Sequence, residues 1–111
     1  MRTDHLTQLR KGALELAVLA LLDRAPSYGF EIVEGLAGLP GLEATTGTIY
    51  PLLTRLKNSR LVNTTWRESP KGPPRKYYTL SDAGREELAG QTAAWRQVVT
   101  AMDTLLTEES R

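Results

Sequence analysis

The sequence contains no cysteine and only one histidine, His5, which lies close to the N-terminus. Without cysteine the chain cannot form a disulfide scaffold, a thiolate zinc site or a cysteine nucleophile. One histidine is too few for histidine-based metal or triad chemistry. We therefore expect a protein without a metal or another cofactor, located in a reducing compartment, the cytoplasm.

Recognisable enzyme motifs are missing as well. No glycine-rich phosphate loop follows a predicted strand, and no carboxylates cluster at the spacing of metal ligands. Glu31 and Glu34 lie on a predicted helix and are expected to face solvent. We therefore predict that the protein is not an enzyme.

Long apolar runs are also absent. The longest candidate, GALELAVLALL at residues 12–22, follows two basic residues and so resembles the start of a signal peptide. Glu15 interrupts this run, and Asp23 and Arg24 stand where the small residues of a cleavage site belong. The run is shorter than the roughly 20 residues that a membrane span needs. We interpret it as a buried helix of a protein without a membrane segment.

The charge of the chain is unevenly distributed, although its 111 residues carry a net charge of only +1. Seven basic residues and one acidic residue lie between Arg55 and Lys76, so this basic block carries +6 and the rest of the chain −5. A basic block in an otherwise acidic domain is typical of a face that binds a polyanion. A solvated charged surface is the alternative.

Apolar residues at helical spacing predict three helices within the first 60 residues. The first covers residues 6–22 and stops before Pro26. Ser27 is expected to cap a second helix, which ends at residues 39–41. The third begins near residues 45–48, because Pro51 is tolerated in the first turn of a helix. The predicted apolar faces contain Tyr28, Ile32, Leu36 and Leu39 of the second helix and Ile49, Leu52, Leu53 and Leu56 of the third.

Two short strands are predicted after the third helix. Residues 61–68 and 76–80 are rich in β-branched and aromatic side chains, and the Pro/Gly-rich residues 69–74 between them cannot continue a strand. Three helices followed by a basic hairpin is the order of a winged helix. We therefore predict a mainly α, α+β fold: a winged helix-turn-helix DNA-binding domain over residues 1–80 with a two-stranded wing.

A final helix of roughly 25–28 residues is predicted after the N-cap residue Ser81. Its apolar residues follow the alternating spacing of four and three that is typical of a coiled-coil seam, with Thr92 as a polar exception. We predict that residues 81–111 form a dimerisation helix that also packs on the first domain; packing on its own domain alone is the alternative. The expected interface residues of the homodimer are Leu9, Leu88, Trp95, Val99, Met102 and Leu106.

The third helix is the predicted reader of DNA, because in a helix-turn-helix protein the last helix before the hairpin enters the major groove. Its N-terminal end offers threonine hydroxyls and methyls to bases, and Gly47 permits close approach of the backbone. The basic loop of the hairpin is expected to contact the DNA backbone or the minor groove. The predicted DNA-binding residues are Tyr28, Thr45, Thr46, Gly47, Thr48, Tyr50, Arg55, Lys57, Lys71, Gly72, Arg75 and Lys76. The alternative is an interaction module whose basic face meets an acidic protein, without sequence-specific DNA binding.

Three separated motifs resemble those of PadR-like transcriptional regulators. They are YGFEI at residues 28–32, GTIYPLL at residues 47–53, and RKYYTLS at residues 75–81 with Gly84 behind it. They occur in the order of the family, and the single C-terminal helix resembles the short branch of the family. The resemblance implies a dimeric winged-helix repressor that binds double-stranded DNA and is released by a small effector. The twofold symmetry of such a dimer predicts a pseudo-palindromic operator.

The resemblance also bears on the role of Trp95. Multidrug-responsive members of the family place a tryptophan at the position of Trp95, where the paired tryptophans of the dimer sandwich flat aromatic compounds. The resemblance therefore implies an effector site at Trp95 and Val99; the alternative is that Trp95 only fills the dimer core. Trp66, on a wing strand, is expected to pack against the third helix.

One departure from the family concerns the end of the third helix. The family usually has a glycine there, where the backbone needs a left-handed residue, whereas this chain has Asn58, Ser59 and Arg60. We expect a reshaped turn in which Arg60 adds a phosphate contact.

Overall fold

A computed structural model describes residues 5–107. Residues 1–4 of the predicted DNA-binding domain and residues 108–111 of the predicted dimerisation helix lie outside this range. The elements are α1 (His5–Arg24), β1 (Ser27–Tyr28), α2 (Gly29–Ala37), α3 (Thr46–Asn58), β2 (Val62–Arg67), β3 (Arg75–Leu80) and α4 (Asp82–Leu106). The strands form one antiparallel sheet in the order β1-β3-β2. The predicted winged helix with its long C-terminal helix is confirmed. We call β2, β3 and the loop 68–74 between them the wing.

One hydrophobic core joins α1, α2, α3 and the sheet. The apolar stripe predicted for the third helix is buried along its whole length, so the core fixes which side of α3 faces outward. α4 adds little to this core, because Gly84 is the one buried residue along it. The buried apolar residues are Leu14, Val18, Leu19, Leu22, Ile32, Leu36, Ile49, Leu52, Leu53, Leu56, Val62 and Leu80.

The start of α2 differs from the prediction. Ser27 does not cap this helix: together with Tyr28 it forms β1, which pairs with β3. The hydroxyl of Ser27 donates a hydrogen bond to the carbonyl oxygen of Ala25, 3.2 Å away. Tyr28 is the N-cap residue, and its amide donates to a carboxylate oxygen of Glu31 at 3.4 Å. The prediction was wrong because a two-residue strand depends on a distant partner, which local sequence does not reveal.

The boundaries of the loop between α2 and α3 also differ from the prediction. α2 ends at Ala37, so Leu39 lies in the loop and is exposed instead of facing inward. α3 begins at Thr46, so Pro51 is its sixth residue and lies beyond the first turn. Because proline has no amide hydrogen, Pro51 cannot donate a hydrogen bond to the carbonyl oxygen of Gly47 one turn earlier. Both residues lie on the exposed side of α3, where water can satisfy that carbonyl.

The turn after α3 contains a left-handed residue that is not glycine. Arg60 has a φ of 63°. Its amide donates to the carbonyl of Lys57 at 2.9 Å, and the amide of Leu61 donates to the carbonyl of Leu56 at 3.0 Å. These two bonds define a Schellman motif, in which glycine usually takes the place of Arg60. The turn is therefore not reshaped: it keeps its usual geometry, with a strain of about 1–2 kcal/mol from the side chain.

α4 is anchored at its start and largely exposed in its second half. The oxygen of the predicted N-cap Ser81 accepts a hydrogen bond from the amide of Gly84 at 3.0 Å, which confirms the cap. Leu88 packs against the core. Residues 93–107 are exposed apart from Val99, which is half-buried. The second half of this helix therefore carries apolar side chains that the protein's own domain does not cover.

Candidate nucleic-acid interface

The outward side of α3 carries small and polar residues. Opposite the buried stripe, one crest of the helix consists of Gly47, Pro51, Thr54 and Asn58, all of which are exposed. A crest without bulky side chains allows the helix backbone to come close to a partner surface. The predicted base-contacting residues flank the start of this crest and are exposed as well: Thr45, Thr46, Thr48 and Tyr50.

Tyr50 is held beside this crest by α2. A Cβ atom built on Gly29 would be 2.5 Å from Cε1 of the Tyr50 ring, so the ring lies directly against the Gly29 backbone. Any larger residue at position 29 would push the ring away. The side chain of Tyr50 is still 48% exposed. One face of the ring is therefore fixed by the protein and another is open to a ligand.

The register of the wing divides its side chains between two faces. Trp66 pairs with Lys76, and Thr64 pairs with Tyr78, on the face that also carries the buried Val62. This face looks toward α3. Between the two lies a cavity of about 400 Å³, which we call the α3–wing cleft. It is lined by Tyr28, Gly29, Tyr50, Thr54, Trp66, Arg75, Lys76 and Tyr78.

The opposite face of the wing carries two arginines over two tyrosines, and one of these pairs, Arg75 over Tyr28, also borders the α3–wing cleft. Arg67 and Arg75 stand directly opposite each other in the register. Each guanidinium lies 4.5 Å from a ring centroid, Arg67 over Tyr77 and Arg75 over Tyr28. The two rings meet edge to face with their centroids 5.3 Å apart. Like charges opposite each other destabilise a sheet, so this pair of cations is suited to a bound anion.

Trp66 was predicted to pack against α3, but it does not. Its side chain is 66% exposed and faces α3 across the cleft. The ammonium of Lys76 lies 5.9 Å from the ring centroid of Trp66 and 5.9 Å from that of Tyr78. Burial raises the pKa of the Tyr78 phenol above its ordinary value, and the nearby Tyr50 raises this pKa further. The phenol of Tyr78 is protonated at neutral pH, as it would be at its ordinary pKa of 10.0, and can donate a hydrogen bond.

Most cations of the basic block have no carboxylate partner. Within residues 5–107, the ion pairs join Arg55 to Glu15 at 3.5 Å, Arg10 to Glu43 at 3.8 Å, and Arg85 to Asp82 at 2.5 Å. Arg55 is thus paired with Glu15 of α1, although its side chain remains 63% exposed. The remaining cations of the block are Lys57, Arg60, Arg67, Lys71, Arg75 and Lys76.

The loop of the wing presents Lys71 and Gly72, both exposed. Gly72 has a φ of 118°, a value that favours glycine, and open space surrounds the position of a Cβ. The carbonyl oxygen of Lys71 accepts a hydrogen bond from the hydroxyl of Ser69 at 3.3 Å. The loop therefore has a defined turn that carries a cation at its tip.

Several residues around α3 and the wing were not among the predicted DNA-binding residues, although simple sequence patterns place them. Alternation along β2 from the buried Val62 places Trp66 on the α3 side and Arg67 on the other. Helical spacing from Gly47 likewise reaches Thr54 and Asn58. Trp66 and Thr54 line the α3–wing cleft together with the predicted Tyr50 and Lys76, and Asn58 lies on the same crest as the predicted Gly47.

The predicted dimer residues have different environments. Leu88 packs on the domain itself, and Val99 is half-buried. The others have exposed fractions of 74% for Leu9, 49% for Trp95, 44% for Met102 and 69% for Leu106. Trp95 borders cavities of about 270, 190 and 170 Å³ between α4, α1 and the loop after α2.

Two further observations concern the 103 residues of the range 5–107 as a whole. None of its helices is both long and apolar enough to cross a membrane. The same range holds no group of three or more His, Cys, Asp or Glu residues that could bind a metal ion.

The chain is similar to known proteins over most of its length. The profile of the family described as "Transcriptional regulator PadR-like family" matches residues 18–90. A PadR-like transcriptional regulator from Bacillus cereus is 35% identical, with a TM-score of 0.83 over 90% of this chain and 97% of that one. A PadR family transcriptional regulator from Eggerthella lenta is 35% identical, with a TM-score of 0.80 over 90% of this chain and 87% of that one.

A third similar structure contains DNA. Bacillus subtilis PadR in complex with operator DNA is 27% identical, with a TM-score of 0.67 over 72% of this chain and 46% of that one. The matched family consists of transcriptional regulators and not of enzymes. The profile match, the two structures at 35% identity and the winged helix agree, and the chain belongs to the PadR-like family of transcriptional regulators.

Proposed function

We propose that the protein is a sequence-specific DNA-binding repressor. In this proposal it acts as a homodimer on a pseudo-palindromic operator and leaves the DNA when a small aromatic effector binds. Family membership supports regulation of transcription, and the operator complex of Bacillus subtilis PadR supports DNA as the partner.

The observation that carries the proposal is the position of the unpaired cations. Six cations without a carboxylate partner among residues 5–107 lie at the end of α3 and on the wing, beside a helix crest of small and polar residues. Unpaired lysines and arginines bind phosphates, which orients a protein on the duplex without reading its sequence. The crest then meets base edges, where threonine and asparagine side chains can discriminate.

The binding site is tested by fluorescence anisotropy with a labelled duplex from upstream of the protein's own gene. We expect Tyr50→Ala and Lys76→Ala to weaken binding at least about tenfold. Arg85→Ala is the matched control, because Arg85 lies outside the basic block and already pairs with Asp82. Equal affinity of wild type and both site variants would contradict the assignment. No preference for the upstream DNA over random duplex would favour an interaction module that binds an acidic protein.

The salt dependence of binding counts the phosphate contacts. Three to five neutralised phosphates per protomer predict that log K falls with log salt at a slope of about −3 to −4.5 per protomer. Removal of one contacting cation should reduce the slope by about 0.9. A slope near zero would exclude the basic block as the DNA-binding surface.

The homodimer is proposed from the uncovered half of α4. Trp95, Val98, Met102, Leu105 and Leu106 are between 44% and 75% exposed there. Burial of such apolar surface against a second copy would stabilise a dimer. Two protomers related by a twofold axis would present two α3 helices to half-sites about one or two duplex turns apart. Sedimentation as a single copy at micromolar concentration, also with duplex present, would contradict this part.

The effector site is proposed at Trp95, which borders three cavities together with residues of α1. A flat aromatic compound between the paired tryptophans would contact both helices that carry the proposed dimer. Such a ligand releases DNA only as far as it prefers the arrangement that binds DNA poorly. In a Trp66→Phe variant, Trp95 is the sole source of indole fluorescence. Absence of quenching by a diverse panel of aromatic compounds would contradict the effector site.

A further inference from the structure

The α3–wing cleft has the properties of a second ligand site. We propose that it binds a flat aromatic anion, such as an aryl carboxylate, and that the bound ligand keeps duplex DNA off this face. Binding to the cleft is inferred from its own geometry and charge. The exclusion of DNA rests on the proposed function.

The size and walls of the cleft suit a small ring system. Its volume of about 400 Å³ lies within the usual range of small-molecule pockets. The rings of Tyr50, Trp66 and Tyr78 line it. Such rings stack favourably on a planar ligand.

The rings of the cleft are poorly covered by the protein itself. Trp66 is 66% exposed and Tyr50 is 48% exposed, on two elements that face each other across the cleft. Transfer of their apolar surface from water to a ligand is favourable. A planar ligand between the wing and α3 would cover both rings at once.

The charge of the cleft selects an anion. Arg75 and Lys76 line it, and none of its eight lining residues is acidic. The ammonium of Lys76 lies 5.9 Å from the ring centroids of both Trp66 and Tyr78 and has no carboxylate partner among the described residues. A cation therefore already occupies the place that a cationic ligand would need. A carboxylate attached to a ring can pair with Lys76 while the ring stacks.

Tyr78 adds a hydrogen-bond donor to this arrangement. Its phenol is protonated at neutral pH already at the ordinary pKa of 10.0, and burial raises this pKa further. A neutral phenol can donate to a carboxylate oxygen, whereas a phenolate would repel it. The hydroxyl of Thr54 donates to the carbonyl of Tyr50 at 3.2 Å and is thus already engaged.

A second cavity of the protein provides an internal comparison. Its volume is about 450 Å³, and it lies between α1 and the start of α3. It is also lined by two cations, Arg10 and Lys11, but it contains no aromatic ring and includes the carboxylate of Glu43. The two cavities thus have similar volumes and two cations each. Of these two, the α3–wing cleft is the one that combines unpaired positive charge with aromatic rings.

The test is a titration of the ¹⁵N-labelled full chain with 2-naphthoate, followed by NMR. Trp66 and Trp95 each give one indole N–H signal, and the variants Trp66→Phe and Trp95→Phe assign them. We expect the Trp66 signal to shift to saturation. The uncharged isostere naphthalene-2-carboxamide should bind at least about tenfold more weakly, because it cannot pair with Lys76.

Two lysine variants separate the cleft from general charge effects. Lys76→Gln should weaken 2-naphthoate binding at least about tenfold. Lys11→Gln removes the same charge from the comparison cavity and should leave the affinity within about twofold. Three results would overturn the site: a shift of the Trp95 signal without one of Trp66, equal binding of the carboxamide, or wild-type affinity of Lys76→Gln.

Competition with DNA tests the second part. At concentrations that saturate the cleft, 2-naphthoate should displace the labelled upstream duplex from wild-type protein. A duplex that stays bound would overturn the exclusion of DNA and leave the ligand site intact. A protein that binds 2-naphthoate at Trp66 but never binds the duplex would overturn the proposed function instead.

Discussion

Gly84, in the first turn of α4, lies directly against the backbone carbonyl of Leu61. A Cβ atom built on Gly84 would overlap that carbonyl oxygen, and the amide of Ser81 already donates to the same oxygen at 3.0 Å. The oxygen is therefore fixed in place and cannot retreat from a larger residue. This contact sets how closely the long helix starts beside the turn that follows α3.

Replacement of Gly84 by alanine should destabilise the fold. We expect Gly84→Ala to lower the free energy of unfolding by about 1–3 kcal/mol, because the methyl group has to push the backbone of Leu61 away. Gly90→Ala is the matched control in the same helix, where nothing lies within 4 Å of the added atom. In that variant the free energy of unfolding should rise by about 0.5–1 kcal/mol, because alanine has a higher helix propensity than glycine. Urea unfolding measures both, and an equal effect of the two changes would contradict the contact.

The strained turn after α3 predicts a stabilising substitution. Glycine at position 60 removes the strain of the left-handed backbone but increases the freedom of the unfolded chain, so Arg60→Gly should gain about 0.5–1 kcal/mol net. Ser59→Gly is the control, because Ser59 has an ordinary φ of −85°. It should lose stability. A destabilised Arg60→Gly protein in thermal or urea unfolding would show that the arginine side chain contributes more than the strain removes.

The close contact between the Tyr50 ring and the backbone of Gly29 predicts an indirect effect on DNA binding. Gly29→Ala places a methyl group against the Tyr50 ring and forces the ring to move, so operator affinity should fall at least about tenfold. The fold should lose little stability, because the half-exposed ring can swing outward. Gly12→Ala is the control, with nothing within 4 Å of its new atom. Unchanged affinity of Gly29→Ala in the anisotropy assay would argue against a role for the position of Tyr50.

A charge in the uncovered half of α4 should separate the proposed dimer. Met102→Arg places a cation where apolar surface would be buried against a second copy, so sedimentation should show single copies at micromolar concentration. Phe30→Arg is the control, since Phe30 is similarly exposed at 50% but lies on α2. That variant should sediment like wild type. Dissociation by both changes, or by neither, would argue against α4 as the interface.

Sequence patterns predicted the elements whose determinants are local. The stripe from Ile49 to Leu56, the wing strands around the Pro/Gly-rich loop, and the Ser81 cap of α4 all depend on residues close in the chain, and the structure confirms them. The resemblance to PadR-like regulators added the family, which the comparisons confirm.

The features that the sequence did not predict depend on distant partners. Ser27 was assigned to a helix cap, whereas it joins a strand of the wing far along the chain. The partner of Arg55 is Glu15, which lies on another helix. The closeness of Gly29 to Tyr50 likewise needs two elements in their final positions. Periodicity within one segment carries no information about such pairs.

The short strand β1 has a mechanical consequence for how the chain would meet a DNA duplex. It joins the residue that caps α2 to the middle of β3, so the wing cannot swing away from the helices unless backbone hydrogen bonds break. Because α2 and α3 share one hydrophobic core, this strand also holds α3 and the wing together. In the proposed dimer, any adaptation to a bent or overwound duplex must then come from a change in angle between the two protomers.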